Sequence, residues 1–561
     1  MDSNHSTLPL TTSSQEHLVR KNKMKGLAKI GIIFIICLAS IIIGLLPIRT
    51  PQMVSSDAPL DQFSAERALE HLNVIAKVPH PTGSVEIFQV RDYLIQELQK
   101  LGLEPELQKS NVVSNLNSKH EASIENIIVR IPGLDNSKAV MVAAHYDSVP
   151  TSPGAADDGA AIAAILEMVR ALQVSEELKN DLILLLSDGE EKGLLGAQAF
   201  VDEHPWARDV GLVLNFEARG NKGPSVMFET TDQNGWIIKE FLEVAEQPLA
   251  YSLLYNVYKL MPNYTDMTEF RETSTSGLNF AFGMGLNAYH HIVDTPENLD
   301  KGSLQHHGDY MLTLTKHFGQ LDLNDIKQED RIYFNAIGWS MIHYPQSWAL
   351  WFMIGGVLLF IGTIYHGIYK KRMNVKEMMV GFLFTLLSIA AVFGLISLLW
   401  AALKSIVSIE QYAAIVKDQQ ISTYFLIALL LLTSIVTVFL IRWASKYFTK
   451  ENISISATFL WLILAVVTTF YLPGGSYLFI WPFIFSLLGI NLALYVRTDL
   501  WEWISVVFAI PGIVLFTPIF FIVFNMLTLN IAGVLFTIPA IVLTLIFPVF
   551  CSSIRYSKKN S

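Results

Sequence analysis

The residues of this chain best suited to chemistry lie in one acidic stretch, Ser187-Asp188-Gly189-Glu190-Glu191-Lys192-Gly193. The stretch follows the apolar run 182–186, which has the length of a buried strand, and it precedes a Gly-Leu-Leu-Gly-Ala segment that can start a helix. Two adjacent carboxylates are therefore predicted where a strand ends, which is where open α/β sheets bind ligands. Neighbouring side chains of an extended segment point in different directions, so one Glu can bind a metal while the other reaches a water molecule beside it. The alternative is a solvated Glu-Glu turn.

Four other places along the chain put an imidazole or a carboxylate at the end of a predicted strand or in the loop that follows it. They are His145, Asp157 with Asp158, Glu217, and His290 with His291. Each has a plain explanation by itself, such as a packed histidine or, for the Asp pair, N-cap chemistry of the next helix. Five such placements in series are hard to produce by packing alone. A set of imidazole and carboxylate ligands without sulfur is typical of an open, catalytic zinc site.

The elements that must position these residues form an alternating α/β domain. Strands are predicted at 126–131, 139–144, 182–186 and 212–215, and the helices at 64–75, 85–101 and 160–172. The strand 139–144 is almost wholly apolar, so we expect it in the centre of a sheet that is covered on both faces. His145 follows this strand, and Asp147 could hold the second nitrogen of its imidazole, as metal-binding histidines require.

Composition places part of the chain in lipid. Of the 561 residues 52% are hydrophobic, and the mean hydropathy is +0.39, which exceeds what a soluble protein of this size shows. A net charge of −10 without a basic stripe argues against a nucleic-acid partner. Cys37 and Cys551 both lie in apolar runs, so no disulfide, cysteine metal site or thiol nucleophile is expected in the polar domain.

We predict five segments along the chain. They are a cytosolic tail (1–29), a signal-anchor helix (30–46), an extracytosolic polar domain (55–330), a seven-helix transmembrane bundle (348–551) and a second cytosolic tail (552–561). No Ala-x-Ala site follows the first apolar run, which argues against a cleaved signal peptide.

The distribution of basic residues supports this topology. A basic cluster precedes the first span, and further Lys and Arg residues follow the second, fourth, sixth and eighth spans, so alternating spans place them all in the cytosol. Lys404 and Lys417 are the exceptions. No ionisable residue lies near the middle of a span, which favours an anchor or a substrate-access platform over a transporter.

Four motifs of the polar domain together resemble the co-catalytic di-zinc aminopeptidases of metallopeptidase clan MH. They are His-Tyr-Asp-Ser, Ser-Pro-Gly-Ala-Ala-Asp-Asp-Gly, Asp-Gly-Glu-Glu-Lys-Gly-Leu-Leu-Gly and Tyr-His-His-Ile-Val-Asp-Thr. His-Pro-Thr-Gly-Ser, Glu-His-Pro-Trp and Asn-Phe-Glu-Ala-Arg-Gly are similar to the multi-pass branch of vacuolar membrane proteases and endoplasmic-reticulum metallopeptidases. The resemblance covers residues 64–320 and implies an α/β fold with a mixed, mostly parallel sheet flanked by helices.

The resemblance also implies two zinc ions and their ligands. Asp157 would bridge the ions, His145 and Glu217 would complete one site, and Glu191 and His290 the other. Glu217 stands where Asp is commoner in the wider family, which leaves the geometry of its site open.

Three further residues receive roles from the same resemblance. Glu190 would be the general base, Asp147 would orient His145, and Tyr289 would help to stabilise the oxyanion. His291 is the alternative to its neighbour His290 as a ligand, and only the motif decides between them.

The expected function is that of a membrane-anchored aminopeptidase, which hydrolyses N-terminal residues of peptides with a water activated by two zinc ions. Its partners would be peptides and the lipid bilayer, while its oligomeric state stays open. The alternatives are a mono-zinc glutaminyl cyclase, a non-catalytic receptor or transport protein, and a carboxypeptidase with Arg219 as a carboxylate clamp. Arg219 could equally form a structural ion pair. The lack of disulfides favours a bacterial cell membrane over a vacuolar one.

Overall fold

The computed structural model describes residues 12–116, 119–135, 137–496 and 500–551, with side chains from residue 28 onward. Residues 1–11 of the expected N-terminal tail and the whole tail 552–561 therefore lie outside the described residues. The helices are α1 (Thr12–Leu45), α2 (Ala65–Ile75), α3 (Val85–Lys100), α4 (Ala160–Leu172), α5 (Leu195–Glu203), α6 (Gly235–Val244), α7 (Ser252–Tyr258), α8 (Met267–Glu272), α9 (Lys301–Phe318), α10 (Trp348–Tyr369), α11 (Val375–Ile406), α12 (Ile409–Lys417), α13 (Gln419–Ala444), α14 (Lys450–Tyr471), α15 (Tyr477–Tyr495), α16 (Trp501–Leu527), α17 (Ala532–Leu543) and α18 (Phe547–Phe550). The strands are β1 (Glu106–Val113), β2 (Glu121–Ile131), β3 (Ala139–His145), β4 (Leu182–Ser187), β5 (Val210–Ala218), β6 (Val226–Thr230), β7 (Ser276–Phe282), β8 (Arg331–Ile337) and β9 (Ser340–Pro345).

Within the described residues, seven strands form one sheet in the order β1-β2-β4-β3-β5-β7-β6. The four central strands β4, β3, β5 and β7 run parallel, whereas β1, β2 and β6 are antiparallel to their neighbours. The predicted α/β fold with a mixed sheet is confirmed. Its parallel pairing is confined to the centre, so three of the six strand pairings are parallel.

The predicted central strand is β3, which is buried along its whole length between β4 and β5. Val140 and Val142 pack on the face covered by α2, α4 and α9, and Met141 and Ala143 pack on the face covered by α5 and α8. Because helices cover both faces, every position of the strand can be apolar.

Local patterns predict most of these elements closely. Helix α4 spans the predicted residues, and the ends of β3, β4 and α3 differ from prediction by a single residue. Strands β2 and β5 are longer than the apolar runs that predicted them, since strand pairing continues into polar residues. As a result Glu217 lies inside β5 and not in a loop after it.

The second half of the chain is a helical bundle. Seven stretches of the described residues are long and apolar enough to cross a membrane, and the last of them, 501–550, contains both of the final two predicted spans. The chain reverses at Thr528, where φ is +55°, so that Leu545 lies against Gly512 and the segment forms a hairpin. The sequence predicts the last transmembrane helix of the bundle at residues 529–550. This stretch is not one continuous helix, because a 3₁₀ turn at Thr544–Ile546 separates α17 from α18.

Helix α1 extends the bundle at the other end of the chain. It begins at Thr12, so part of the expected tail 1–29 continues the anchor helix. It packs closely on α16 at Gly44, where a Cβ atom would lie 2.8 Å from the carbonyl oxygen of Val514. Small residues permit this approach between membrane helices.

The polar domain rests on one end of the bundle through α7. Ser252 Oγ donates a hydrogen bond to the carbonyl oxygen of Gly474 (2.7 Å), and the N–H of Gly474 donates to Asn256 Oδ1 (2.7 Å). Phe334 of β8 stacks on Tyr477 with ring centroids 4.2 Å apart. The loop between α14 and α15 is therefore a docking point for the domain.

Candidate active site

The candidate ligands meet at one edge of the sheet. His145 ends β3, Glu191 lies in the loop after β4, and Glu217 lies near the end of β5. Because these strands are parallel, their carboxyl ends meet at the same edge. Asp157 comes from the loop before α4, and His290 from the loop after β7.

Asp157 lies between two groups of potential ligands. Its Oδ1 is 3.3 Å from Nε2 of His145, and its Oδ2 is 3.3 Å from Nε2 of His290. On the first side Glu217 Oε2 is 3.7 Å from His145 Nε2, and on the second side Glu191 Oε1 is 3.1 Å from His290 Nε2. All five predicted ligands therefore come together, and one carboxylate faces both groups.

These spacings fit zinc. Two nitrogen or oxygen ligands of a tetrahedral zinc ion, each about 2.0–2.1 Å from the metal, lie about 3.3 Å from each other. His290 Nε2 and Glu191 Oε1 are both buried and make no hydrogen bond within the described structure. Buried polar atoms without partners are costly unless another group satisfies them, and a cation shared between them would do so.

Asp158 is a further carboxylate beside the first group. One of its oxygens lies within 4.8 Å of ligand atoms of His145 and Glu217. Its Oδ2 accepts a hydrogen bond from the N–H of His145 (3.3 Å), while Oδ1 has no partner among the described residues. Burial raises the pKa of Asp158, and the adjacent Asp157 carboxylate adds to this effect. In the sequence Asp158 stands out only as the neighbour of Asp157, and it was not among the five predicted ligands.

The Asp pair does not cap the following helix. Helix α4 begins after Gly159, and no side chain accepts a hydrogen bond from its first turn. Both Asp side chains are buried and face the site, so the N-cap alternative is wrong. The solvated-turn alternative for the Glu pair is wrong for the same reason, because Glu190 and Glu191 are partly buried.

Asp147 ties the loops after β3 and β4 together. Its Oδ1 accepts a hydrogen bond from the N–H of Glu190 (3.1 Å), and its Oδ2 accepts from the N–H of Glu191 (3.3 Å) and from Thr82 Oγ1 (3.2 Å). Nδ1 of His145 is 2.9 Å from the backbone oxygen of Asp147 and 3.5 Å from its Oδ1. The imidazole therefore has an oxygen partner on the side away from the other ligands, and the backbone oxygen of Asp147 is nearer than its carboxylate.

Asp294 is a positioning residue that the sequence analysis did not assign. Its Oδ1 accepts a hydrogen bond from the N–H of Ala156 (2.9 Å), and its Oδ2 accepts from the N–H of Asp157 (3.3 Å). The contact fixes the backbone that carries Asp157. Asp294 lies four residues after His290 within the quoted Tyr-His-His-Ile-Val-Asp-Thr motif, which was the available signal.

Glu190 lies beside the two ligand groups but belongs to neither. Burial raises the pKa of its carboxyl, and the nearby Glu217 carboxylate raises it further. Such a carboxyl accepts a proton more readily than a free one, which suits a general base.

The remaining predicted residues lie at the rim of the site. Tyr289 stacks on His290 with ring centroids 3.8 Å apart, and the guanidinium of Arg219 lies 6.0 Å from the centre of the Tyr289 ring. His291 is exposed, and its side chain lies outside both ligand groups, which favours its neighbour as the ligand.

Comparisons with known proteins place the domain in a family. Residues 126–315 match the model of peptidase family M28. The chain is 28% identical to human endoplasmic reticulum metallopeptidase 1 over 56% of this chain and 38% of that protein. It is 33% identical to a vacuolar membrane protease of Candida dubliniensis over 48% of this chain and 30% of that protein, so it spans less than two fifths of the length of either relative.

Among solved structures, a zinc aminopeptidase from Bacillus subtilis is 16% identical over 48% of this chain and 98% of that chain, with a TM-score of 0.39. Glutaminyl cyclases give similar values. The family match covers the strands and loops that carry all five predicted ligands. Residues 126–315 of the polar domain are therefore a peptidase M28 domain, and M28 is a family of zinc metallopeptidases.

Proposed function

We propose that the chain is a membrane-anchored aminopeptidase with two zinc ions. One observation carries this proposal: the two oxygens of Asp157 face different histidines, each at 3.3 Å. A carboxylate in this position is suited to bridge two ions. A single zinc ion, as in a cyclase, would leave one of the two ligand groups without a function.

Each residue of the site has its own role in the proposed reaction. Bound zinc ions would supply Lewis-acid chemistry, lowering the pKa of water and polarising the scissile carbonyl. Glu190 takes the proton from the attacking water and passes it to the leaving amine. Asp147 holds the backbone of Glu190, and Tyr289 provides a phenol at the rim that can donate a hydrogen bond to the developing oxyanion.

The reaction takes place outside the cytosol in this proposal. Basic residues collect at the end of the bundle opposite the polar domain, where Lys29 and Lys450 both pair with Glu502, and Arg372 pairs with Glu451 (2.7 Å). Helix α10 links the two ends, because it starts just after β9 and runs for 22 residues to Tyr369, which Lys370 follows. The positive-inside rule then assigns the basic end to the cytosol. We retain the cell membrane of a bacterium as the expected location, and the vacuolar membrane as the alternative.

A single preparation of the full-length chain in detergent tests the proposal. We expect two equivalents of zinc by elemental analysis, and release of the first residue from peptides with a free amino terminus but not from acetylated ones. The Asp157→Ala variant should lose both metal and activity. One equivalent of zinc together with cyclisation of N-terminal glutamine would refute the proposal in favour of a cyclase.

Arg219 favours a second candidate, a carboxypeptidase. Its side chain is partly buried and forms no ion pair with any side chain that the structure describes, so the structural alternative for this residue has no support. A guanidinium beside the site without an ion-pair partner among the described residues can bind a carboxylate in a bidentate manner. Amidation of the peptide carboxyl terminus separates the two candidates, because it should abolish carboxypeptidase cleavage and leave aminopeptidase cleavage intact.

A further inference from the structure

Glu217 stands at one end of a row of buried polar side chains that crosses three strands. Asn215 of β5 pairs in register with Asn279 of β7, which pairs with Glu229 of β6. These three residues are 0% exposed. Arg271 of α8 lies at the outer end of the row, where its side chain is 30% exposed.

Hydrogen bonds join each member of the row to the next. Arg271 donates to Glu229 Oε1, and Asn279 Nδ2 donates to Glu229 Oε2 (2.8 Å). Asn279 Oδ1 in turn accepts from Asn215 Nδ2 (3.1 Å), which also lies 3.4 Å from Oε1 of Glu217. The row therefore runs without a break from the surface of α8 to a predicted metal ligand.

Each partner fixes the orientation of the next one. The two carboxyl oxygens of Glu229 accept hydrogen bonds from Arg271 and Asn279, so Asn279 presents its NH₂ group to Glu229. The Oδ1 of Asn279 then faces Asn215, which must present its own NH₂ group. In this orientation Oδ1 of Asn215 has no partner among the described residues. The hydrogen bonds that its NH₂ group donates therefore determine the orientation of the amide.

This orientation decides which oxygen of Glu217 is free. Oε1 is held by Asn215, and Oε2 is left 3.7 Å from Nε2 of His145. A Glu side chain has three rotatable bonds, and fixing them costs conformational entropy. An amide that holds one oxygen reduces the entropy that metal binding must still remove.

Packing alone does not require such a row. Buried amides and charges are costly to desolvate, and apolar side chains of the same shape fill a sheet face without that cost. We propose that Asn215 is a positioning residue for Glu217, oriented by Asn279, Glu229 and Arg271, and that the row sets the zinc affinity of the site that contains His145. This inference rests on the proposed two-zinc centre.

Zinc-binding isotherms of the full-length chain test the inference without any measurement of turnover. The chain in detergent is dialysed against buffers of graded free zinc concentration, and bound zinc is counted. In Asn215→Leu we expect one of the two binding steps to weaken by about 10- to 100-fold, the range found when partners of metal ligands are removed. The other step should be unchanged. Asn279→Leu should weaken the same step by a smaller factor.

A matched control separates positioning from loss of stability. Leu214 is the buried neighbour of Asn215 on the opposite face of β5. Leu214→Val should lower the melting temperature and leave both binding steps unchanged.

Two results would overturn the inference: both steps unchanged in folded Asn215→Leu, or both weakened equally. If Asn215→Leu does not fold, Asn279→Leu decides by the same criteria. The wild-type isotherm tests the proposed centre itself, and only the difference between variant and wild type tests the row.

Discussion

Replacing Glu190 or its neighbour Glu191 with Gln removes the same charge one residue apart, yet the two changes should have opposite consequences. Glu191 Oε1 lies 3.1 Å from His290 Nε2 in one of the two ligand groups, while Glu190 lies in neither. Glu190→Gln should therefore keep two equivalents of zinc and lose turnover. Glu191→Gln should lose bound zinc, and its loss of turnover should follow from that.

The magnitudes follow from these roles. A general base contributes about 10²- to 10⁴-fold to a rate, which corresponds to about 2.7–5.4 kcal/mol in the barrier for Glu190→Gln. Removing a partner of a metal ligand already costs about 10- to 100-fold in affinity, so loss of the ligand Glu191 should cost at least as much.

The assay is peptide hydrolysis and elemental zinc analysis on the same purified samples, with melting temperatures as a check on folding. Turnover above one tenth of the wild-type rate in zinc-loaded Glu190→Gln would refute its role as the base. Two retained equivalents in Glu191→Gln, at zinc concentrations where the wild type is just saturated, would refute its role as a ligand.

Three further predictions concern the bridge, the pH dependence and the membrane contact. Asp157→Asn should weaken both zinc-binding steps, and loss of only one step in the isotherm would argue against a shared ligand. Burial lowers the pKa of His290, but its contacts with Asp157 and Glu191 outweigh this and raise that pKa to about 10 in the metal-free chain. Zinc must therefore displace a proton at neutral pH, and the zinc affinity should rise as the pH is raised towards 10. Calorimetry in two buffers of different ionisation enthalpy should detect the released proton. Equal binding heats in the two buffers would contradict this prediction. Asn256→Leu leaves the N–H of Gly474 without its acceptor and should destabilise the full-length chain by about 1–3 kcal/mol, whereas Asn256→Asp keeps an acceptor oxygen and should restore the melting temperature.

Sequence alone predicted the elements that depend on local patterns. The apolar run of β3 and the helical spacing of α4 are signals within a few residues of each other, and both elements lie where predicted. The candidate ligands that follow β3, β4, β5 and β7 also lie at one edge of the sheet, since the carboxyl ends of parallel strands meet there whichever strand a residue follows. The order of the strands was not needed to predict this.

Tertiary structure decided what depends on contacts between distant segments. Asp294 holds the N–H of Asp157 from 137 residues away, and no local pattern connects them. The row from Glu217 to Arg271 depends on β5, β7 and β6 being neighbours in register, which periodicity within a single strand does not determine. The contact of α7 with the loop at Gly474 joins residues more than 200 positions apart.

The proposed chemistry of the site therefore follows from the residue types and from their positions relative to strand ends. Both are local properties of the sequence. The geometry that gives each oxygen its partner depends on strand order, amide orientation and loop packing. These are set by the free energy of the whole fold, and only the folded chain shows them.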